Sequence, residues 1–194
     1  MTTVEWSAQH EATLMNAERS VLLLVDYQQR LLPAIHEGER VVAEAARLAD
    51  AAHELGVPVL GTEQNPAGLG PNTEALRRRC SSTLAKMHFD ACEDGLLQLL
   101  QTAAPGRSDI VVAGCEAHVC LLQTTLGLLR AGHRVWVVAG ACGSRSPHDH
   151  ALAMQRLQQA ACVIVSTEMV VFEWLQHCRH ERFKPVLALL KGKP

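Results

Sequence analysis

Three residue types that together make an activated nucleophile stand close behind apolar segments of this chain. Asp26 ends the run Val21–Val25, Lys86 follows Leu84 and Ala85, and Cys120 lies shortly after Ile110–Ala113. A carboxylate can take a proton, an ammonium can hold a thiolate by charge, and a thiol can attack an electrophilic carbon. The stretch Gly114-Cys115-Glu116-Ala117-His118-Val119-Cys120 reads as strand, tight turn and helix start, with helical spacing from Val119 to Ala131. That places Cys120 in the first turn of a helix. Unpaired N–H groups and the macrodipole favour negative charge there. A free thiol has a pKa of about 8.5, and such a position lowers it. Cys120 is therefore expected to be alkylated first among the seven cysteines.

Each of the three has a plainer reading. Cysteine is usually a small buried hydrophobe, an aspartate after a strand often caps a turn, and lysine is usually solvated. Lys86, however, is one of only four lysines and sits among Leu84, Ala85, Met87 and Phe89. An apolar setting for a lysine asks for a paired charge, which Asp26 and a thiolate would supply.

The elements that must position these residues follow from hydrophobic periodicity. Val21–Val25, Val57–Leu60, Ile110–Ala113, Val135–Ala139 and Cys162–Val165 are short apolar runs suited to strands buried on both faces. Ser81–Phe89 is ambiguous and reads as a short strand or extended segment. Helical spacing covers Gly38–Leu55, Ala91–Thr102, Val119–Ala131, Ser146–Ala161 and Glu168–Gln176, with short helices at Glu74–Arg79 and Pro185–Lys191. Ser146-Pro147 reads as N-cap and first helical residue. Glu63–Thr73 and Gly140–Arg145 carry turn formers and read as loops. Strand and helix alternate, which predicts a three-layer α/β domain around a mostly parallel sheet of about six strands. In such a sheet ligands bind outside the carboxyl ends of the strands, an edge at which Asp26, Lys86 and Cys120 are expected to converge.

Bulk properties narrow the function classes. The 194 residues suit one well-buried domain, read as 20–194 behind a leader at 1–19. Net charge is −2, which gives no electrostatic footprint for nucleic acid, and no apolar run approaches the ~20 residues of a membrane span. Seven cysteines without CxxC or disulfide-framework spacing point to a reducing, cytoplasmic setting. Arg77-Arg78-Arg79 reads as a solvated face.

Asp26-Tyr27-Gln28, Lys86-Met87-His88-Phe89, the Gly114–Cys120 stretch with Gln123-Thr124-Thr125, and Ser144-Arg145-Ser146 resemble, in order and spacing, the isochorismatase-like cysteine hydrolase family. The loop from Thr62 to Pro71 further resembles its branch of isochorismatase-domain proteins with unassigned substrate. The resemblance implies the Rossmann-like isochorismatase fold and an Asp–Lys–Cys triad of Asp26, Lys86 and Cys120. It also implies a cis peptide at Cys115–Glu116 that helps aim the N–H groups of Glu116 and Cys120 at an oxyanion. Tyr27, Gln28, Phe89, Ala117 and His118 are the expected pocket residues. Nicotinamidases of the family carry histidine metal ligands in the loop equivalent to Gly61–Gly70, which has none here. No metal and no cofactor are therefore implied, and the cysteine argues against vinyl-ether hydrolysis.

The expected activity is cleavage of an amide-type C–N bond in a small molecule through a covalent Cys120 intermediate. A catalytically weak binding or scaffold protein and a redox-sensing thiol are the alternatives. The resemblance and the apolar Val170, Val171, Phe172 and Trp174 point to a homo-oligomer, a dimer or higher.

Overall fold

A computed structural model describes residues 14–191. Its elements run β1 (Ser20–Val25), α1 (Gly38–Glu54), β2 (Val59–Gln64), α2 (Pro66–Leu69), α3 (Glu74–Arg77) and β3 (Ser82–Lys86). They continue with α4 (Leu96–Ala103), β4 (Asp109–Gly114), α5 (Leu122–Arg130), β5 (Arg134–Val138), α6 (Pro147–Gln159), β6 (Val163–Val165), α7 (Thr167–Leu175) and α8 (Phe183–Lys191). All strand pairs are parallel, in the order β3-β2-β1-β4-β5-β6. The expected three-layer α/β architecture is present.

Side-chain alternation along the strands builds the layers. Leu22 and Leu24 of β1 face one side with Val111 and Ala113 of β4, and pack against α1, α7 and α8 through Ala45, Leu48, Val171, Trp174 and Val186. Val21, Leu23 and Val25 face the other side with Ile110 and Val112, against α4, α5 and α6 through Leu96, Leu100, Leu128 and Leu157. Both faces of β1 and β4 are covered, which is why these strands read as unbroken apolar runs.

Three expectations need correction. β2 extends to Gln64, so Glu63 and Gln64 are strand rather than loop, and Pro66–Leu69 makes a helical turn inside that loop. Val170, Val171 and Trp174 are core residues of the α7 layer and only Phe172 is exposed, so this segment does not argue for a partner. Arg79 does not sit on a solvated face: its guanidinium grips Asp50 with two bonds of 2.7 Å. The leader lies largely outside the described residues. Its end, at Ala17–Arg19, is a short turn capped by Asn16 and tied down by Arg107, which donates to the carbonyls of Ala17 and Ser20. No helix among the described residues is long and apolar enough to cross a membrane.

β1 and β4 meet at Val25 and Gly114. A Cβ on Gly114 would come within 2.5 Å of Val25 Cβ, and neither strand can retreat from the middle of the sheet. Gly114→Ala should therefore lower stability by about 1–3 kcal/mol, the usual cost of overpacking. Thermal unfolding should show a midpoint roughly 2–12 °C lower, since each kcal/mol shifts the midpoint of a chain this size by about 2–4 °C. An unchanged midpoint would mean that the two strands separate more easily than their packing implies.

Candidate active site

The carboxyl ends of four adjacent strands deliver the polar residues of the site. Asp26 follows β1 directly, with a left-handed φ of 53° that aspartate tolerates better than most residues. Thr62 and Gln64 come from the end of β2, and Lys86 is the last residue of β3, in register with Gln64. Gly114 ends β4. The chain then passes through the cis peptide Cys115–Glu116 into a wide π-type turn, Ala117–Leu121, which carries Cys120 and leads into α5. Cys120 thus sits in the π turn, two residues before the regular helix begins at Leu122. Single π turns are frequent at functional sites because they re-aim a side chain.

Lys86 and Asp26 are fully buried and form an ion pair, with Nζ 2.8 Å from Oδ2. Asp26 Oδ1 accepts from the Thr62 hydroxyl at 2.6 Å. Oδ2 takes part in no well-aligned hydrogen bond, and its contact with Lys86 is charge against charge. Lys86 also donates to Gln64 Oε1 at 2.6 Å and, at 3.4 Å, to the His88 carbonyl. The Cys120 thiol is 6% exposed, lies 3.9 Å from Gln64 Oε1 and is acted on electrostatically by both Asp26 and Lys86. The sequence therefore brings its three candidates together.

The protonation state differs from the sequence expectation. Burial pushes the Cys120 thiol up to about 12. Asp26 raises it further and Lys86 opposes the rise without cancelling it. A resting thiolate is disfavoured because the ion pair presents both signs to the sulfur. The expected order of alkylation reverses accordingly. Cys178 is exposed, whereas Cys80, Cys92, Cys142 and Cys162 are also held at about 12 by burial. A bulky anionic aromatic disulfide at pH 7.5 should modify a single thiol quickly, and Cys178→Ser should remove that fast phase. A fast phase that survives in Cys178→Ser would place the reactive thiol elsewhere.

The expected pocket residues divide. Tyr27 is fully buried and donates its hydroxyl to the Ala141 carbonyl at 2.5 Å. Gln28 is fully buried too. Its Nε2 donates to the carbonyls of Gln64 and Gly70, and its Oε1 accepts from the Gln64 N–H. Both brace the strand ends through these bonds. Ala117 is buried, with its N–H on the Gly143 carbonyl at 2.7 Å. His118 is half-buried, its Nδ1 3.0 Å from Ser144 Oγ. Glu116 pairs with Arg145 at 2.7 Å, and Cys115 is buried with its N–H on the Val25 carbonyl. Phe89 is half exposed. It lines an open cleft of about 570 Å³ with Met87, Gln123 and Arg130 rather than covering the thiol.

Sequence reasoning missed Gln64 and Thr62 as site residues. Their signal was the length of β2. Had the strand been carried through Gly61-Thr62-Glu63-Gln64, its last residue would have fallen beside Asp26 and Lys86.

Comparison with known proteins places the fold and the family. Isochorismatase domain-containing protein 2 of Homo sapiens is 36% identical over 172 residues, covering 89% of this chain and 83% of that protein. The Mus musculus protein 2A is 33% identical over 177 residues, covering 90% and 84%. The structure titled MAR1 ribonuclease from Caenorhabditis elegans superposes with a TM-score of 0.86 at 31% identity, covering 94% of this chain and 95% of that one. YcaC from Escherichia coli, titled an octameric hydrolase of unknown specificity, shares the fold with a TM-score of 0.85 at 22% identity, covering 93% and 90%. The isochorismatase domain matches residues 20–169, so that this chain belongs to the isochorismatase-domain family.

Proposed function

We propose that this protein is a cysteine hydrolase that cleaves an amide-type C–N bond in a small molecule, with Cys120 as nucleophile, Asp26 as proton acceptor and Lys86 as the fixed positive charge. The observation that carries this reading is a fully buried Lys86–Asp26 ion pair within reach of a protonated thiol at the carboxyl edge of a parallel sheet. With the thiol held near 12, a free thiolate is scarce at neutral pH. The proton must leave as the sulfur attacks, and Asp26 is the base beside it.

The steps balance as follows. Cys120 Sγ bonds to the carbonyl carbon while its proton passes to Asp26. The tetrahedral oxyanion lies toward the N–H groups of Glu116 and Cys120. The C–N bond breaks, the amine leaves with the proton from Asp26, and a thioester remains. Water then gives a proton to Asp26 and its oxygen to the carbonyl carbon. The acid departs and the thiol recovers its proton. Lys86 offsets the charge that moves between sulfur and carboxylate, where low dielectric makes that offset strong.

The structure titled YcaC from Pseudomonas aeruginosa holds covalent acrylamide. Acrylamide, a small neutral amide with an electrophilic carbon, is thus a fitting probe. Incubation at pH 7.5 should add one acrylamide mass to the peptide containing Cys120, and a panel of small amides should show which are hydrolysed. A Cys120 that stays unmodified while the panel is turned over would remove it from the nucleophile's place.

The name of the C. elegans relative invokes RNA, but a net charge of −2 and a nearly buried nucleophile favour a small substrate over a polynucleotide. Seven unpaired cysteines suit a cytoplasmic setting. The octameric title of the E. coli structure supports a homo-oligomer, which light scattering tests directly.

A further inference from the structure

Gln64 makes the densest set of polar contacts in the site and has no part in the steps above. Its Oε1 accepts from Lys86 Nζ at 2.6 Å and lies 3.9 Å from Cys120 Sγ, as acceptor for the thiol. Its Nε2 donates to the Met87 carbonyl at 2.7 Å. The amide cannot flip: the reverse orientation would press an NH₂ against an ammonium and a carbonyl oxygen against a carbonyl oxygen. Its backbone is pinned as well, because Gln28 Oε1 accepts from the Gln64 N–H at 2.9 Å and Gln28 Nε2 donates to the Gln64 carbonyl at 3.0 Å. The fully buried Gln28 fixes Gln64, and Gln64 presents one oxygen to both the cation and the nucleophile.

Resting on the cysteine-hydrolase reading, we infer that Gln64 is a positioning residue that anchors Lys86 between Asp26 and Cys120 and turns the resting thiol hydrogen away from the carboxylate until substrate arrives. A neutral acceptor suits that task. An amide holds the ammonium without adding a second anion beside the sulfur, so Lys86 keeps its charge for Cys120 and Asp26. A carboxylate at the same place would hold Lys86 as firmly and also neutralise it.

The test uses acrylamide labelling of Cys120, read by mass spectrometry from pH 6 to 10, with thermal unfolding in parallel. Gln64→Met keeps the length of the side chain and removes the acceptor. Labelling at pH 7.5 should fall at least tenfold while the protein stays folded. Gln64→Glu restores the acceptor and adds a charge. It should hold Lys86 but shift the labelling profile upward by at least one pH unit. A purely structural role would slow each variant only in proportion to its lost stability, so a tenfold loss in variants that melt like wild type is outside it. Wild-type rate and profile in a folded Gln64→Glu would overturn the inference, whatever the fate of Gln64→Met. If wild type itself gains no adduct at Cys120, it is the nucleophile assignment that fails.

Discussion

Replacing Cys120 with alanine should end hydrolysis and covalent capture together while leaving the fold in place. Losing a covalent nucleophile typically costs roughly 10⁴-fold or more, because only binding and electrostatic stabilisation remain. Stability should barely change. The side chain is small, and the polar partners of its thiol are already satisfied by each other: Lys86 by Asp26 and Gln64, Asp26 by Lys86 and Thr62. The measurement is turnover of a hydrolysed amide beside a thermal melt. A variant that melts like wild type and still turns over above a tenth of its rate would refute the mechanism. One that fails to fold would show the thiol to be a packing element, which its contacts do not require.

Breaking the Lys86–Asp26 pair should be the most damaging change to stability in the site. Both side chains are wholly buried and 2.8 Å apart. Lys86→Met leaves a carboxylate in the interior with only the Thr62 hydroxyl for support. Asp26→Asn leaves an ammonium held by Gln64 Oε1 and a distant carbonyl. Removing one partner of a buried pair typically costs about 3–5 kcal/mol, whereas removing both charges together is far milder. Each single variant should therefore melt roughly 6–20 °C lower, at about 2–4 °C per kcal/mol. The double variant should recover much of that loss, giving a coupling of about 2 kcal/mol or more. Activity should be absent in all three, since stability and chemistry make different demands on the pair. Additive losses below about 1 kcal/mol would mean that the two groups do not interact as buried ions.

How much of this was legible beforehand depends on how each element is covered. β1, β4 and β5 are packed on both faces, so their apolar runs announced themselves, as did the Ser146 cap, whose side chain accepts from the His148 N–H. β3 lies at the sheet edge with alternate residues exposed, and its sequence Ser-Thr-Leu-Ala-Lys carries no strong pattern. β2 was cut short because its final residues are polar. They are buried there by partners from β1 and β3, a tertiary circumstance that hydropathy does not encode. Asp26, Lys86 and Cys120 stand out as candidates because their types are unusual at or just beyond apolar runs. Gln64 was not, because glutamine is ordinary in a loop and becomes informative only once the strand reaches it. The raised thiol acidity constant was hidden for a related reason: position at a helix start argued one way, and burial beside a carboxylate prevailed.

The register of the sheet also bears on how this protein can diversify. Val25 is in register with Thr62, and Gln64 with Lys86, so Thr62, Gln64 and Lys86 are set by a parallel ladder and Asp26 by the strand residue before it, whereas Cys120 comes from the turn after β4. A slip of one residue would turn Lys86 to the opposite face. The segments beyond the ladder, at residues 65–73 and 87–95, project from the same edge without carrying those positions. On the proposed cysteine-hydrolase mechanism, the ladder sets most of the reacting groups and these outer segments are where selectivity can vary. Exchanging either outer segment for that of a relative should alter which molecules are accepted while the attack geometry is inherited intact, which makes this scaffold a natural starting point for grafted specificities.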